Sequence, residues 1–267
     1  MAHVIFKTDP GDAGMFSNLN RIVTYLYFTP NIKKIEWSMY GSNKGCMGYD
    51  ISGEMFSLIF KDNTNIDDSS ILSKNVCLNW GEWTPNRITG NDASLYYGTN
   101  RDKLEPYSKT FHRYFKLQDN IKELINSKIS ELHTGYSDVI GVIVRNSGNN
   151  ALANEQLKKR MPTQNEYIEA INKVSRLNQR YFFCIDNKED LDFFKERYPN
   201  CYYTNIRRSI SKNDSEPHKK TLGSINDLID TFIEIYLCSS CHTLIHCVTN
   251  MATTSLYINM NQVSIPI

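Results

Sequence analysis

Val139-Ile140-Gly141-Val142-Ile143-Val144-Arg145, running into Asn146-Ser147-Gly148-Asn149-Asn150, decides how the rest of the chain is read. Six residues without a polar side chain, closed by a cation and a turn-forming segment, predict a buried strand of the kind found in helix-covered sheets. Downstream, strand-like runs alternate with helical periodicity. A helix over Asn165 to Leu177 precedes a strand at Tyr181 to Ile185, a short helix at Leu191 to Tyr198 and a strand at Cys201 to Thr204. A helix at Ile225 to Leu237, a strand at Thr243 to Val248 and a final helix near Met251 to Ile258 follow. Strands separated by helices require crossover connections, so this half is expected to be Rossmann-like with a mostly parallel sheet.

Toward the amino terminus, His3 to Thr8 predicts a strand that ends in the turn-forming Asp9-Pro10-Gly11-Asp12-Ala13-Gly14. Phe16, Leu19, Ile22, Val23 and Leu26 then recur at helical spacing, with Asn18, Asn20 and Arg21 largely between them. Further strands are expected at Lys34 to Trp37, Met55 to Phe60 and Asn75 to Trp80, while 86–108 is too polar to assign. Apolar residues every three or four positions from Leu117 to Leu132 predict one amphipathic helix over Phe115 to Leu132, a connector between halves. The expected fold class is α/β, with an amino-terminal half over 1–135 and a carboxyl-terminal, Rossmann-like half over 136–267.

Composition narrows the function classes. In 267 residues, 30 Lys and Arg face 29 Asp and Glu, so no global field draws in nucleic acid or an acidic membrane surface. A site for an anion must be built locally. No apolar run approaches the roughly 20 residues that span a bilayer, and no repeat recurs at a fixed period. Met1-Ala2-His3 does not open a secretory signal, and the seven cysteines are an odd number, so the thiols are expected to be reduced and the location cytoplasmic. Residues 207–220 read as a mobile loop.

In an open parallel sheet, ligands bind beyond the carboxyl ends of the strands, which makes the residue closing each apolar run informative. Here those are Arg145, Asp186 and Thr249-Asn250. A guanidinium stays charged and pairs with phosphate oxygens, and the glycine-containing segment after Arg145 lets backbone amides approach a ligand. The alternative is an arginine tied to a neighbouring carboxylate. Thr249 and Asn250 lie between a strand and a helix, where they cap the helix, offer amides and a positive dipole end to an anion, or do both. Glu234, in the last part of its helix, is a carboxylate able to accept from a ribose, a base edge or Arg145, or else part of a solvated stripe with Asp227 and Asp230. Ser224 and Asp227 have the spacing of a capping box.

Other patterns carry less. Cys238 and Cys241 form a lone C-x-x-C at the end of a helix and are expected to be packing residues. Asp190-Leu191-Asp192 matches a metal-binding D-x-D but begins a helix, where capping explains it, and no metal is implied. The Pro10 to Gly14 loop lacks the spacing of either common phosphate-loop motif.

Taken in order, these segments resemble a family: the fucosyltransferases that include the Nod-factor and core α-1,6 enzymes and the protein O-fucosyltransferases. Gly14-Met15-Phe16-Ser17-Asn18 is similar to their amino-terminal G-x-F-G-N loop, and Ile140 to Arg145 to their I-G-V-H-x-R segment. Tyr181 to Asp186 is similar to their strand ending in Thr-Asp. Glu234, Leu244-Ile245 and Thr249-Asn250 fall at the places of their helix aspartate, apolar strand and paired serines. The resemblance implies a GT-B-like fold of two facing Rossmann-like halves and a metal-independent, inverting transfer from GDP-fucose, with no cofactor beyond the donor. It places Arg145, Thr249 and Asn250 at the diphosphate, Glu234 and Asp186 at the nucleoside, and Gly14, Phe16 and Asn18 in the cleft from the other half.

Three departures bear on specificity: the family histidine is Ile143, the second basic residue of the core enzymes is Asn146, and the following aspartate is Gly148. An inverting transfer also needs a base for the acceptor hydroxyl. The core enzymes place a glutamate eight residues after the arginine, where this chain has Ala153, so Glu155 is the candidate base, with a solvated helix-turn glutamate as its alternative. The expected partners are a nucleotide-sugar and a glycan acceptor, with no nucleic acid. Two further readings stay open: the same fold using another donor, such as UDP-xylose or a rhamnosyl nucleotide, and a catalytically silent glycan- or nucleotide-binding module.

Overall fold

The computed structural model describes residues 2–8, 15–29, 31–39, 53–54, 56–61, 73–77, 101–145, 161–209, 224–247 and 249–267. Their strands form two separate sheets. In the first, β1 (Ala2–Thr8) lies between parallel neighbours β2 (Ile32–Met39) and β4 (Ser73–Cys77), and the short β3 (Gly53–Glu54) pairs antiparallel on the β2 edge. Helix α1 (Met15–Phe28) connects β1 to β2, as the apolar spacing from Phe16 to Leu26 predicts.

The second sheet is parallel throughout, in the order β7-β6-β5-β8-β9. Its strands are β5 (Val139–Val144), β6 (Arg180–Ile185), β7 (Cys201–Tyr202), β8 (Thr243–His246) and β9 (Val263–Pro266). All six β5 residues are buried. Side chains alternate between the faces, as the pleat requires. Ile140, Val142 and Val144 pack with Phe183 and Ile185 under α5 (Gln164–Val174) and α6 (Lys188–Arg197). Val139 and Ile143 pack with Phe182, Cys184 and Leu244 under α7 (Ile225–Ser240) and α8 (Asn250–Ile258). Gly141 shares that second face, where a methyl group would meet Leu244 Cδ1 at 3.0 Å and Cys241 Sγ at 3.1 Å. β9, the ninth and last strand, is not among the predicted elements; only residues 259–262 separate it from α8.

Several local expectations give way. The helix predicted over Phe115 to Leu132 is present but begins four residues late: α3 (Arg101–Tyr114) ends just before this stretch, and α4 (Asp119–His133) starts after an extended link at 115–118. In that link Lys116 O accepts from Lys61 N at 2.6 Å, and Gln118 N donates to Ile59 O at 2.9 Å. The apolar run 55–60 is largely helical, with α2 at Phe56–Ile59, because Phe56, Ile59 and Phe60 bury one face against Phe115 and Phe111. Helix α3 takes in the last eight residues, 101–108, of the stretch too polar to assign, presenting Leu104, Ser108 and Phe111 to the interior, while 86–100 lie outside the described residues. Asn18, Asn20 and Arg21, expected on the polar side of α1, are all buried.

The face of the second sheet that carries α7 and α8 continues into the first half. Phe232 of α7 meets Phe16 at 5.5 Å and Phe60 at 5.6 Å, and Tyr257 of α8 meets Phe111 at 5.2 Å between ring centroids. One hydrophobic core therefore runs from Val4 and Phe6 through to Leu244 and Leu256. No helix of the described residues is long and apolar enough to cross a membrane.

His246, the last residue of β8, is fully buried. Its Nδ1 donates to Cys247 O at 3.0 Å, so Nε2 is left to accept from Ser264 Oγ at 2.9 Å on β9. Burial pushes its pKa down to about 4, against about 6.5 for an unperturbed imidazole. With the native value below the unfolded one, the unfolded chain binds more protons between these limits, so stability is complete above pH 6.5 and falls as the pH drops toward 4. The expected loss from this group is about 2 to 3 kcal/mol at pH 4.5. Denaturant midpoints at pH 7 and 4.5 check it: the acid loss should shrink by that amount in His246→Gln, and an undiminished loss would assign it to other groups.

Candidate functional site

The strand order of the second sheet points to one place. From β5 the chain winds outward through β6 to β7, then returns across α7 to β8 on the opposite side of β5. The connections after β5 and β8 thus leave opposite faces, opening a crevice at the carboxyl ends of these two strands, where ligands of such sheets bind. Arg145 follows β5, and Thr249 and Asn250 begin α8 just after β8.

Arg145 is held in an incomplete setting. Its side chain keeps 27% of its exposure while Asp186 keeps 6%, and Nε lies 3.5 Å from Asp186 Oδ2. That ion pair is not a hydrogen bond, and among the described residues buried Nε has no acceptor. Nη1 lies 3.1 Å from Met251 Sδ, a weak acceptor in the first turn of α8. The guanidinium thus touches both sides of the crevice, and among the described residues its one hydrogen bond is the weak contact to Met251.

Asp186 closes β6 and is fixed from several directions. Its amide donates to Val144 O at 3.4 Å, its carbonyl accepts from Ser209 N at 3.0 Å, and Asn187 Nδ2 donates to its Oδ1 at 3.2 Å. Asn187 is also the N-cap of α6, accepting from Asp190 N at 2.8 Å, while Asp190 accepts from Asn187 Nδ2 and from Gln164 Nε2. The Asp190-Leu191-Asp192 segment accordingly serves the start of a helix. Ser224 and Asp227 form a complete capping box at the start of α7.

Thr249 is the N-cap of α8: its Oγ1 accepts from Ala252 N at 3.2 Å. Asn250 is the first residue of that helix and only partly buried. Its carbonyl and Oδ1 both accept from Asn20 Nδ2 of α1, at 3.3 and 3.0 Å. Asn18 is buried beside Arg21, whose Nη1 donates to Asn18 Oδ1 at 3.3 Å, and Phe16 packs against Phe232. Gly14 and Glu155 lie outside the described residues, as do the Asn146 to Asn150 segment and Ala153.

Glu234 differs most from its expected surroundings. It is almost completely buried, and its carboxylate accepts from Arg208 Nη2 at 3.2 Å, from Cys184 Sγ at 3.3 Å and from the Thr204 hydroxyl. Burial pushes its pKa up, and the Arg208 cation pulls it back. Arg208 in turn donates to Ile185 O at 2.9 Å, Thr204 O at 2.7 Å and Ile206 O at 3.0 Å. Residues 207–209, expected to begin a mobile loop, are instead tied under the carboxyl end of β6; 210–220 lie outside the described residues. Arg208 was not legible as a site residue. The available signal was Glu234 itself, a carboxylate between Ile233 and Ile235 that demands a buried cation. Cys238 and Cys241 are buried, and burial raises both thiols, as packing residues would show.

No family model matches the chain, and no curated protein matches it in sequence. Solved structures do match. The α-1,6-fucosyltransferase NodZ soaked with GDP-fucose is 16% identical, with a TM-score of 0.52 over 97% of this chain and 93% of that one. The fucosyltransferase NodZ from Bradyrhizobium is 16% identical, with a TM-score of 0.50 over 97% of this chain and 92% of that one. POFUT1 in complex with GDP-fucose is 7% identical, with a TM-score of 0.52 over 100% of this chain and 97% of that one. Identities this low report on architecture, and with two mostly parallel sheets matched over nearly the whole of each chain, the protein has a fucosyltransferase-like GT-B fold.

Proposed function

We propose that this chain is a metal-independent, inverting glycosyltransferase that moves a sugar, with fucose favoured, from a GDP-linked donor to a hydroxyl of a glycan or other acceptor. The observation that carries the reading is Arg145, a cation at the switch point of a parallel sheet whose buried Nε has no acceptor among the described residues. A diphosphate supplies what that guanidinium lacks, and the positive end of α8 adds to its attraction. The GDP-fucose in the NodZ and POFUT1 structures supports the choice of donor.

In the proposed reaction the acceptor oxygen attacks the anomeric carbon from the face opposite the diphosphate. The bond to the phosphate oxygen breaks, the nucleoside diphosphate leaves with the electron pair, and the acceptor proton passes to a carboxylate, for which Glu155 is our candidate. Charge that builds on the leaving oxygens is met by Arg145, by the Thr249 hydroxyl and by Asn250, without a metal. Asp186 holds the orientation of Arg145, and Glu234 acts on the nucleoside end through Arg208.

The test is a melting experiment with GDP, UDP and their sugars, followed by donor consumption with and without acceptor. A nucleotide present at about a hundred times its Kd stabilises the fold by about 2.7 kcal/mol. Stabilisation by GDP and turnover of GDP-fucose are expected. Stabilisation by UDP alone would overturn the donor, binding without turnover would mark a silent module, and indifference to every nucleotide would remove the reading.

A further inference from the structure

Asn20 lies in the second turn of α1, in the amino-terminal half, yet every hydrogen bond of its side chain goes to α8. Nδ2 donates to Asn250 O at 3.3 Å and to Asn250 Oδ1 at 3.0 Å. Oδ1 accepts from Thr254 Oγ1 at 2.9 Å and from the Tyr257 hydroxyl at 2.7 Å. Asn20, Thr254 and Tyr257 are all buried. A primary amide has two donor hydrogens and an oxygen with two lone pairs, and here both ends are used on one helix, with the single Thr254 hydroxyl hydrogen shared between Asn20 Oδ1 and Asn250 O at 2.8 Å.

The arrangement has a fixed polarity. Asn250 O is a backbone carbonyl and only accepts, so the Asn20 atom facing it must be Nδ2. The same nitrogen then faces the Asn250 side chain, which must turn Oδ1 inward. Asn250 Nδ2 is thereby left on the other side of its amide, and among the described residues nothing accepts from it. Asn250 is only partly buried, at the first position of α8, next to Thr249 and to Met251 with its Arg145 contact. Without Asn20, its amide can rotate by half a turn and present an oxygen where an anion needs a donor.

We propose that Asn20 is a positioning residue that sets the amide orientation of Asn250, so that the start of α8 presents N–H groups alone to the diphosphate. This rests on the donor assignment proposed above. Through this contact the amino-terminal half tunes the donor affinity of the other half.

The experiment measures GDP affinity by calorimetric titration, with melting temperature alongside, for wild type, Asn20→Asp, Tyr257→Phe and Asn250→Ala, and for the first two changes combined with Asn250→Ala. A carboxylate at position 20 cannot donate, so the Asn250 amide turns its N–H groups inward. Asn20→Asp is therefore expected to weaken GDP binding about tenfold or more, as a charge-assisted hydrogen bond is lost. Tyr257→Phe removes one hydroxyl donor to Asn20 and carries the test if Asn20→Asp does not fold; a smaller loss in the same direction is expected. In the Asn250→Ala background both changes should leave GDP affinity unaltered while still lowering the melting temperature. Variants that melt earlier but bind GDP as wild type does would overturn the proposal, as would losses that persist undiminished without Asn250. Failure of the wild-type chain to bind GDP is a separate result, and it removes the donor assignment along with this inference.

Discussion

Replacing Arg145 by alanine is expected to lower both nucleotide affinity and transfer rate, the rate by on the order of a hundredfold or more. The guanidinium is positioned by one ion pair at 3.5 Å and one thioether contact, neither of which uses its donors well. In the proposed reaction those donors meet phosphate oxygens and bind more strongly as charge collects on the departing diphosphate. A preorganised charged donor of this kind contributes about 3 to 4 kcal/mol to the transition state, so the loss should appear in kcat as well as in affinity. Arg145→Lys should recover only part of it, because a point charge cannot reproduce the paired geometry. An Arg145→Ala protein that turns over normally would put the diphosphate elsewhere.

The second large effect concerns stability. Arg208→Ala removes the cation beside a carboxylate that is only 1% exposed, along with hydrogen bonds to three backbone carbonyls. Leaving one member of a buried ion pair alone costs about 3 to 5 kcal/mol, a large fraction of the 5 to 15 kcal/mol typical of a folded domain. A fall of that size in denaturation free energy is the expected result. Glu234→Gln should cost less, since Arg208 retains its carbonyl acceptors and is left with a polar neighbour. An unaltered midpoint for Arg208→Ala would mean that the pair is open in solution.

How much of this could be read beforehand depends on the range of the forces involved. Val139 to Val144 and Tyr181 to Ile185 declare themselves because a strand buried on both faces leaves a purely local record, an apolar run between turn residues. The capping box of Ser224 and Asp227 is local too, set by a spacing of three. The break between α3 and α4 is not. Residues 115–118 keep helical spacing of apolar groups, and what unwinds them is pairing with Ile59, Phe60 and Lys61, some 55 residues earlier.

The candidate site divides in the same way. Arg145, Asp186, Thr249 and Asn250 stand out because strand ends are where ligands gather in such sheets, and the structure places Arg145 against Asp186 and Met251. Asn20 looked like an ordinary polar residue on a half-buried helix, since its partners lie more than 200 positions away. Arg208 was obscured by the polar stretch that follows it, although Glu234 in an apolar helix called for such a partner.

The continuous core has a consequence for how the protein comes into being on the ribosome. Phe16 and Phe60 complete their packing only against Phe232, and Asn20 finds its partners only at 250–257. A nascent chain that has emerged as far as residue 135 thus has both strands and helices of its first sheet but no cover for the face that carries these residues. Domains that fold during synthesis do so as units, and here the first unit closes late. With contacts of such long sequence separation, loop-closure entropy slows the final docking. During elongation the exposed aromatic face of the first half is the surface that a chaperone would meet.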